Sequence, residues 1–332
     1  MMPERHDSLT PAQPIKVLVL GGSGFIGRHA VASLIAKGAV VVIGSRRPAQ
    51  IQPRLPQVAL GAARRLVRFE EHTQAQHWYP AIHDVDVVLN CVGILRQRGR
   101  ATYQRVHHDA PAALAQACRE HMKRFIHLSA LGLHGAARSR FLTSKLAGET
   151  AIRASGADWA IVRPSLLDGD GGFGAWWLRS VARLPLFVVP ADARGRIAAL
   201  HVVELGEALA NLCVDTPAQP PDAAATTREY DLGGPQEMTL RDYIRALRRA
   251  HTQRQAWCIP VPGWLARLVA HVCDVLHATP FSFGHWELLR HDNVPAHNRL
   301  PELLGRAPRQ VGGVRLAMPG THCVPACTDH AE

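Results

Sequence analysis

Lys16-Val-Leu-Val-Leu-Gly21-Gly22-Ser23-Gly24-Phe25-Ile26-Gly27 decides how this chain folds. The apolar run at residues 15–20 predicts a buried strand, and residues 25–36 predict a helix directly after it. Gly21, Gly24 and Gly27 form G-x-x-G-x-x-G in the turn between them. Each glycine answers a separate demand: Gly21 a tight turn, Gly24 close approach of a pyrophosphate to the backbone, and Gly27 tight packing of helix on strand. The free N–H groups and positive end of the helix then face the phosphates, with Ser23, Phe25 and Ile26 in the same cradle. A dinucleotide is the ligand such a turn fits.

Outward from this turn, strands are expected at 39–43, 66–69, 85–91, 124–128 and 159–163, with helices at 111–120 and about 142–154. That alternation predicts an α/β fold, a Rossmann-type doubly wound parallel sheet. Beyond Gly169 the rhythm loosens into a smaller C-terminal α+β region for substrate or partner, with helices at 202–213, 239–249 and 263–276. Thr239 and Asp242 suit the cap of the second of these. Residues 216–227, rich in proline, alanine and threonine, read as a surface loop. The expected organisation is an NAD(P)-binding domain over 15–168, interleaved with later elements, then the smaller region over 169–309. Residues 1–14 and 310–332 are expected to be flexible tails.

Hydrophobic residues at 47% and charged residues at 20% suit a globular chain with a sizeable core and exclude wholesale disorder. Lys plus Arg is 38 against 27 Asp plus Glu, a net charge of +11. Four of the cations are lysines and the other 34 arginines are scattered, without the concentrated basic face of a nucleic-acid binder. Anionic cofactors or lipid headgroups are the expected attraction. The first fourteen residues are polar and lack a signal peptide's apolar core, and no apolar run approaches the roughly 18 residues of a membrane span. A cytoplasmic protein, peripheral to the inner membrane at most, is expected. Seven widely spaced cysteines do not form a disulfide framework. Cys323 and Cys327 beside His322 lack a second ligand pair, and no histidine sits in a ligand spacing, so no metal site is expected.

The second strand runs into Ser45-Arg46-Arg47 with no carboxylate. A site for NAD usually places Asp or Glu there to hold the ribose 2′-OH. Arg46 or Arg47 suits a 2′-phosphate instead, with Ser45 donating a hydrogen bond, so NADP(H) is expected over NAD(H).

Asn90-Cys91-Val92-Gly93, Leu128-Ser129-Ala130, Ser144-Lys145 and Arg163-Pro164-Ser165 follow the glycine turn in order. In this order and spacing the chain resembles the extended and atypical short-chain dehydrogenase/reductases. Within them it is similar to the group of the nucleotide-binding accessory subunit of respiratory complex I and its bacterial relatives, over roughly residues 15–309. The resemblance implies that Asn90, Cys91, Val92 and Gly93 lie beside the riboses and that Glu70 or Glu71 meets the adenine. It implies that Lys145 holds the nicotinamide ribose and that Ser129 binds a substrate oxygen. The backbone after Pro164, at Ser165, would meet the carboxamide.

The family's catalytic tyrosine lies four residues before its lysine, and here that position is Phe141. Its ring is expected to point toward the nicotinamide. Phenylalanine has no proton to donate, and loss of a positioned acid removes about 10²–10⁴ in rate. Ser129, Ser139 or Thr143 are the available substitutes. The leading expectation is a dinucleotide-binding protein with weak or no hydride transfer, its nucleotide structural or regulatory, in a respiratory or quinone-related assembly. The alternatives are an active NADPH-dependent reductase or epimerase of a small or isoprenoid carbonyl, and a protein-interaction module with an empty cofactor site.

Three further features carry open readings. Phe173, Trp176 and Trp177 line an apolar pocket or belong to the core. His107 and His108 are surface or cofactor-side residues. Leu265, Leu268, Val269, Val272 and Leu276 repeat at helical spacing and are expected to be buried by packing on the body, with contact at a membrane surface as the alternative.

Overall fold

Alternate residues of the first strand, β1 (Lys16–Leu20), feed two separate cores, as a period of two requires of a strand buried on both faces. Val17 and Val19 pack with Val31 and Leu34 of α1 (Gly27–Ala36), while Leu18 and Leu20 pack with Trp78, Leu114 and Cys118. Residues 13–51, 54–215, 228–252, 254–276 and 281–311 are described by the computed structural model. Cys323, Cys327, the loop at 216–227 and nearly all of both expected tails lie outside them.

The central sheet is wholly parallel. It comprises β1, β2 (Val40–Ser45), β3 (Ala63–Leu66), β4 (Val87–Asn90), β5 (Arg124–Leu128), β6 (Asp158–Pro164) and β7 (Glu229–Leu232). Their order is β7-β6-β5-β4-β1-β2-β3, so the winding reverses between β1 and β4. Ligands of such sheets bind at the carboxyl ends of the strands beside that reversal. Helices α2 (Ala110–Glu120), α3 (Arg140–Ala154), α4 (Phe173–Ala182) and α5 (Val202–Val214) follow. So do α6 (Leu240–Thr252), α7 (Gly263–Leu276) and α8 (Phe283–Leu289). A ribbon of two parallel strands, Leu186–Pro190 and Trp257–Val261, stands apart from the main sheet. A third core cluster lies beneath it, with Phe187 and Val189 against Tyr243 and Leu247.

Several expectations shift. The third strand is 63–66 rather than 66–69, because Arg64 and Arg65 are tolerated on a sheet edge and Phe69 turns down into the core. Helix α3 begins at Arg140, where the Ser139 hydroxyl accepts from the Leu142 N–H at 3.3 Å. Thr239 does cap α6, accepting from the Asp242 N–H at 3.2 Å. Cys118 and Cys213 are buried, whereas Cys91 and Cys273 are half-buried. The largest correction is in α7. Leu268, Val269 and Val272 face outward, and Ala266 and Ala270 make the inner contact.

Candidate functional site

Gly21 stands at φ +73°, the left-handed conformation that the turn after β1 needs and that glycine adopts without strain. A Cβ at Gly27 would collide with the Gly21 carbonyl, so the helix rests directly on the turn. A Cβ at Gly24 would meet only the Gly21 oxygen, at 3.0 Å, and otherwise open space. No side chain caps the start of α1 and its first turn holds no acidic residue, so its N–H groups and positive end are left for an anion. Gly24 is exposed and Ser23, Phe25 and Ile26 half-buried around this end.

Two neighbouring strand ends converge on the turn. A Cβ at Gly21 would touch the Cys91 oxygen and a Val92 methyl, both at 3.2 Å. Asn90 is fully buried, and its amide is committed inward. Nδ2 donates to His127 Nδ1 at 3.0 Å and Oδ1 accepts from the Val92 N–H at 3.0 Å. Asn90 therefore shapes the 90–93 loop rather than presenting its own side chain. Burial lowers the His127 imidazole to about 3, so it stays neutral and can accept that bond. Nothing would touch a Cβ at Gly93, and burial raises the Cys91 thiol to about 12.

At the end of β2, Ser45 Oγ accepts from the Arg47 N–H at 3.2 Å and tightens the bend. The Arg46 side chain is 66% exposed and reaches Glu70 Oε1 at 3.6 Å. Arg46, Arg47 and Glu70 thus gather where the resemblance puts the adenosine end of a dinucleotide.

Phe141, Lys145 and Glu149 follow one another at single turns of α3 and share a face. The Phe141 ring is not directed into open space. It stacks on His285 at 5.5 Å and meets His107 and Tyr103 edge-on at 5.5 and 5.7 Å. The ring is packed among these aromatic side chains. Lys145 Nζ lies 5.8 Å from the ring centroid. Burial brings its ammonium down to about 8, opposed by the Glu149 carboxylate.

Glu149 escaped the sequence reading, although a carboxylate one turn beyond the lysine was the available signal. It is 1% exposed and binds Arg163 through both oxygens at 2.9 and 2.7 Å, with Arg153 at 2.8 Å. Arg163 also reaches Glu229 and Asp231. Burial tends to raise the Glu149 carboxyl, but these guanidinium groups and the Ser129 hydroxyl hold it below the usual range. Ser129 itself is buried, and its Oγ has no hydrogen-bond partner among the described residues.

The other candidate proton donors are engaged. Ser139 caps α3, and Thr143 Oγ1 donates to the Ser139 carbonyl at 3.1 Å. His107 is buried rather than at the surface. Its Nε2 accepts from the Ile94 N–H at 3.3 Å, which puts the proton on Nδ1, facing Ser144 Oγ at 3.0 Å. Burial keeps this imidazole well below its ordinary pKa. Ser144 passes the chain on to the Phe141 carbonyl at 3.1 Å.

After β6 the Pro164 carbonyl accepts from Leu131 N–H, and Ser165 Oγ donates to the Asn293 carbonyl at 2.5 Å. Ser165 is thereby a brace to the C-terminal region. The loop that follows folds back over the glycine turn. Gly172 lies against the Phe25 ring and Arg28 donates to the Asp170 carbonyl. Phe173 and Trp176 stack on each other at the surface, while Trp177 is half-buried in the third core cluster. Among the described residues no three His, Cys, Asp or Glu side chains gather as metal ligands.

A family model described as NAD(P)H-binding matches residues 21–175. Ceramide reductase of Caulobacter vibrioides is 29% identical over 59% of this chain and 60% of its own length. The mitochondrial NADH dehydrogenase (ubiquinone) 1 alpha subcomplex subunit 9 of Arabidopsis thaliana is 25% identical, over 85% of this chain and 69% of that protein. The rat protein of the same name is 28% identical, and the chain spans only 45% of it. The Escherichia coli NADPH-dependent quinone oxidoreductase QOR2, solved with NADPH, superposes with a TM-score of 0.67 at 15% identity, covering 89% of this chain and 97% of that one. A UDP-galactose 4-epimerase superposes at 0.60 with 17% identity, covering 89% and 94%. These two likenesses are likenesses of fold.

Proposed function

We propose that this chain is an NAD(P)H-binding protein of the extended short-chain dehydrogenase/reductase type that holds NADP(H) as a structural or regulatory ligand and transfers hydride weakly or not at all. One observation carries the reading: Phe141 stands one turn before Lys145, walled in by Tyr103, His107 and His285. Phe141 brings no acid to the position where a reduced carbonyl needs its proton, and Ser139 and Thr143 are engaged with backbone. The bound nucleotide would span from Arg46 and Arg47 over the glycine turn and the 90–93 loop to Lys145 and the backbone after Pro164. Kinship with a complex I subunit supports a place in a respiratory or quinone-linked assembly, at the surface of the inner membrane.

The active alternative rests on Lys145, because an ammonium near pKa 8 is itself an able acid at neutral pH. It predicts steady NADPH oxidation by some carbonyl substrate. Full-length protein assayed with NADPH against a broad panel of quinones, ketones and aldehydes separates the two. Binding without turnover supports the proposal, and robust wild-type turnover overturns it.

Cofactor choice is tested separately. Calorimetric titration is expected to give NADPH at least about tenfold tighter binding than NADH, or about 1.4 kcal/mol. The double variant Arg46→Ala, Arg47→Ala is expected to level the two, and equal affinities in the wild type would refute the 2′-phosphate assignment. Gly24→Val is expected to lose nucleotide binding altogether, since its methyls project into the space left for the pyrophosphate. Normal binding by this variant would put the nucleotide elsewhere.

A further inference from the structure

The ribbon pairs Trp257 with Leu186 and Ile259 with Val188. Side chains alternate along a strand, and Phe187 and Val189 point into the third core cluster. Leu186, Val188, Trp257 and Ile259 therefore share the outer face, and Trp257 is 80% exposed. Two residues after this strand the chain enters α7, whose polarity is inverted. Ala266 and Ala270 pack on the Trp286 of α8, at 4% and 0% exposure. Trp264, Leu268 and Val272, at successive turns on the opposite side, are exposed, with Trp264 at 71%. A helix held only by its own protein ordinarily does the reverse, large apolar residues in and small or polar ones out. Singly scattered exposed hydrophobics need no explanation, but an apolar row on the ribbon followed by another on the next helix does.

The charges around this face say what covers it. Residues 183–191 and 254–273 contain no Asp or Glu, and the carboxylates that bound them, Asp192 and Asp274, are paired with Arg290 and Arg96. Arg183, Arg254 and Arg267 stand exposed in these segments, Arg267 also lying over the Phe283 ring at 5.7 Å. A second copy of the chain would bring like charges together on this face. An anionic lipid surface accepts both components: tryptophan settles at the headgroup level, and arginine stems lie along apolar surface with their heads on phosphates. We propose that the ribbon and α7 dock this protein on the surface of an anionic bilayer without crossing it. No helix among the described residues is long and apolar enough to span a membrane. The docking rests on these surface residues and is independent of nucleotide binding and turnover.

Sedimentation of the full chain with vesicles of phosphatidylcholine, with and without phosphatidylglycerol, tests this. Binding is expected to the mixed vesicles, with a blue shift of tryptophan emission, and to weaken as salt rises. The double variant Trp264→Glu, Leu268→Glu is expected to lose roughly tenfold or more in vesicle affinity. Arg183→Glu with Arg254→Glu is expected to lose roughly tenfold as well, selectively on the anionic vesicles. These side chains are exposed, so thermal midpoints and NADPH affinity should hold, which separates failure of docking from failure of the fold. Absence of binding to anionic vesicles would overturn the proposal. So would equal binding by the Trp264→Glu, Leu268→Glu variant, or a stable dimer that this variant dissociates.

Discussion

Phe141→Tyr is expected to raise carbonyl-dependent NADPH oxidation by about 10²-fold or more over the wild type, the range a positioned general acid supplies. The substitution adds one oxygen to a ring of nearly constant shape. Phe141 already lies in a half-polar shell of Tyr103, His107 and His285, so the new hydroxyl enters surroundings that offer hydrogen-bond partners. Lys145 lies one turn on, with Nζ 5.8 Å from the ring centroid, and a cation at that range lowers the pKa of a phenol. Lys145→Ala in the Phe141→Tyr background should then abolish the gain. Stopped-flow measurement of NADPH absorbance with saturating carbonyl acceptors gives both numbers. Unchanged turnover in a variant that binds NADPH normally would mean that Phe141 is not what silences the site. A fast wild type would mean that another acid already serves it.

The sheet was legible because its strands are buried on both faces and announce themselves as continuous apolar runs. Residues 124–128 form a strand with the expected bounds, and the glycine turn has the expected neighbours. The edge strand was misplaced because its arginines follow no buried pattern, and Arg65 owes its place to Asp84, nearly twenty residues on. The face of α7 was misread for a deeper reason. Periodicity marks an apolar stripe but not which side of the helix finds a partner, and two alanines carry too little hydrophobicity to signal that they are the contact. The site divides similarly. Phe141 before Lys145 was visible as a spacing. The His107–Ser144 link and the Arg28–Asp170 contact join residues 37 and 142 positions apart, and only the fold brings them together.

Arg163→Ala is expected to lower the unfolding free energy at neutral pH by about 3–5 kcal/mol, the usual cost of stripping one partner from a buried ion pair. Glu149 is almost inaccessible, and Arg163 supplies two of its three short guanidinium contacts. Removing it leaves a buried carboxylate with Arg153 as its remaining ion-pair partner, and frees Glu229 and Asp231 to repel one another. The loss should also depend on pH in a definite direction. In the wild type the Glu149 carboxyl is held below its ordinary pKa, so its contribution is present above the unfolded-state value and disappears as pH falls through the folded one. In the variant, burial without Arg163 pushes the same carboxyl upward, so the protonated form is favoured and acid relieves the penalty. The difference between the two proteins should therefore be largest near neutrality and shrink steadily toward low pH. Urea unfolding of both, at pH steps from neutral down toward the carboxylate range, measures it. A difference under about 1 kcal/mol at neutral pH, or one that does not change with acid, would mean that Glu149 is not a buried charge dependent on Arg163. Because Glu149 stands one turn from Lys145 and would be less neutralised without Arg163, the variant should also bring the lysine above about 8. Titration of the Lys145 methylene resonance would read that shift in the folded protein directly.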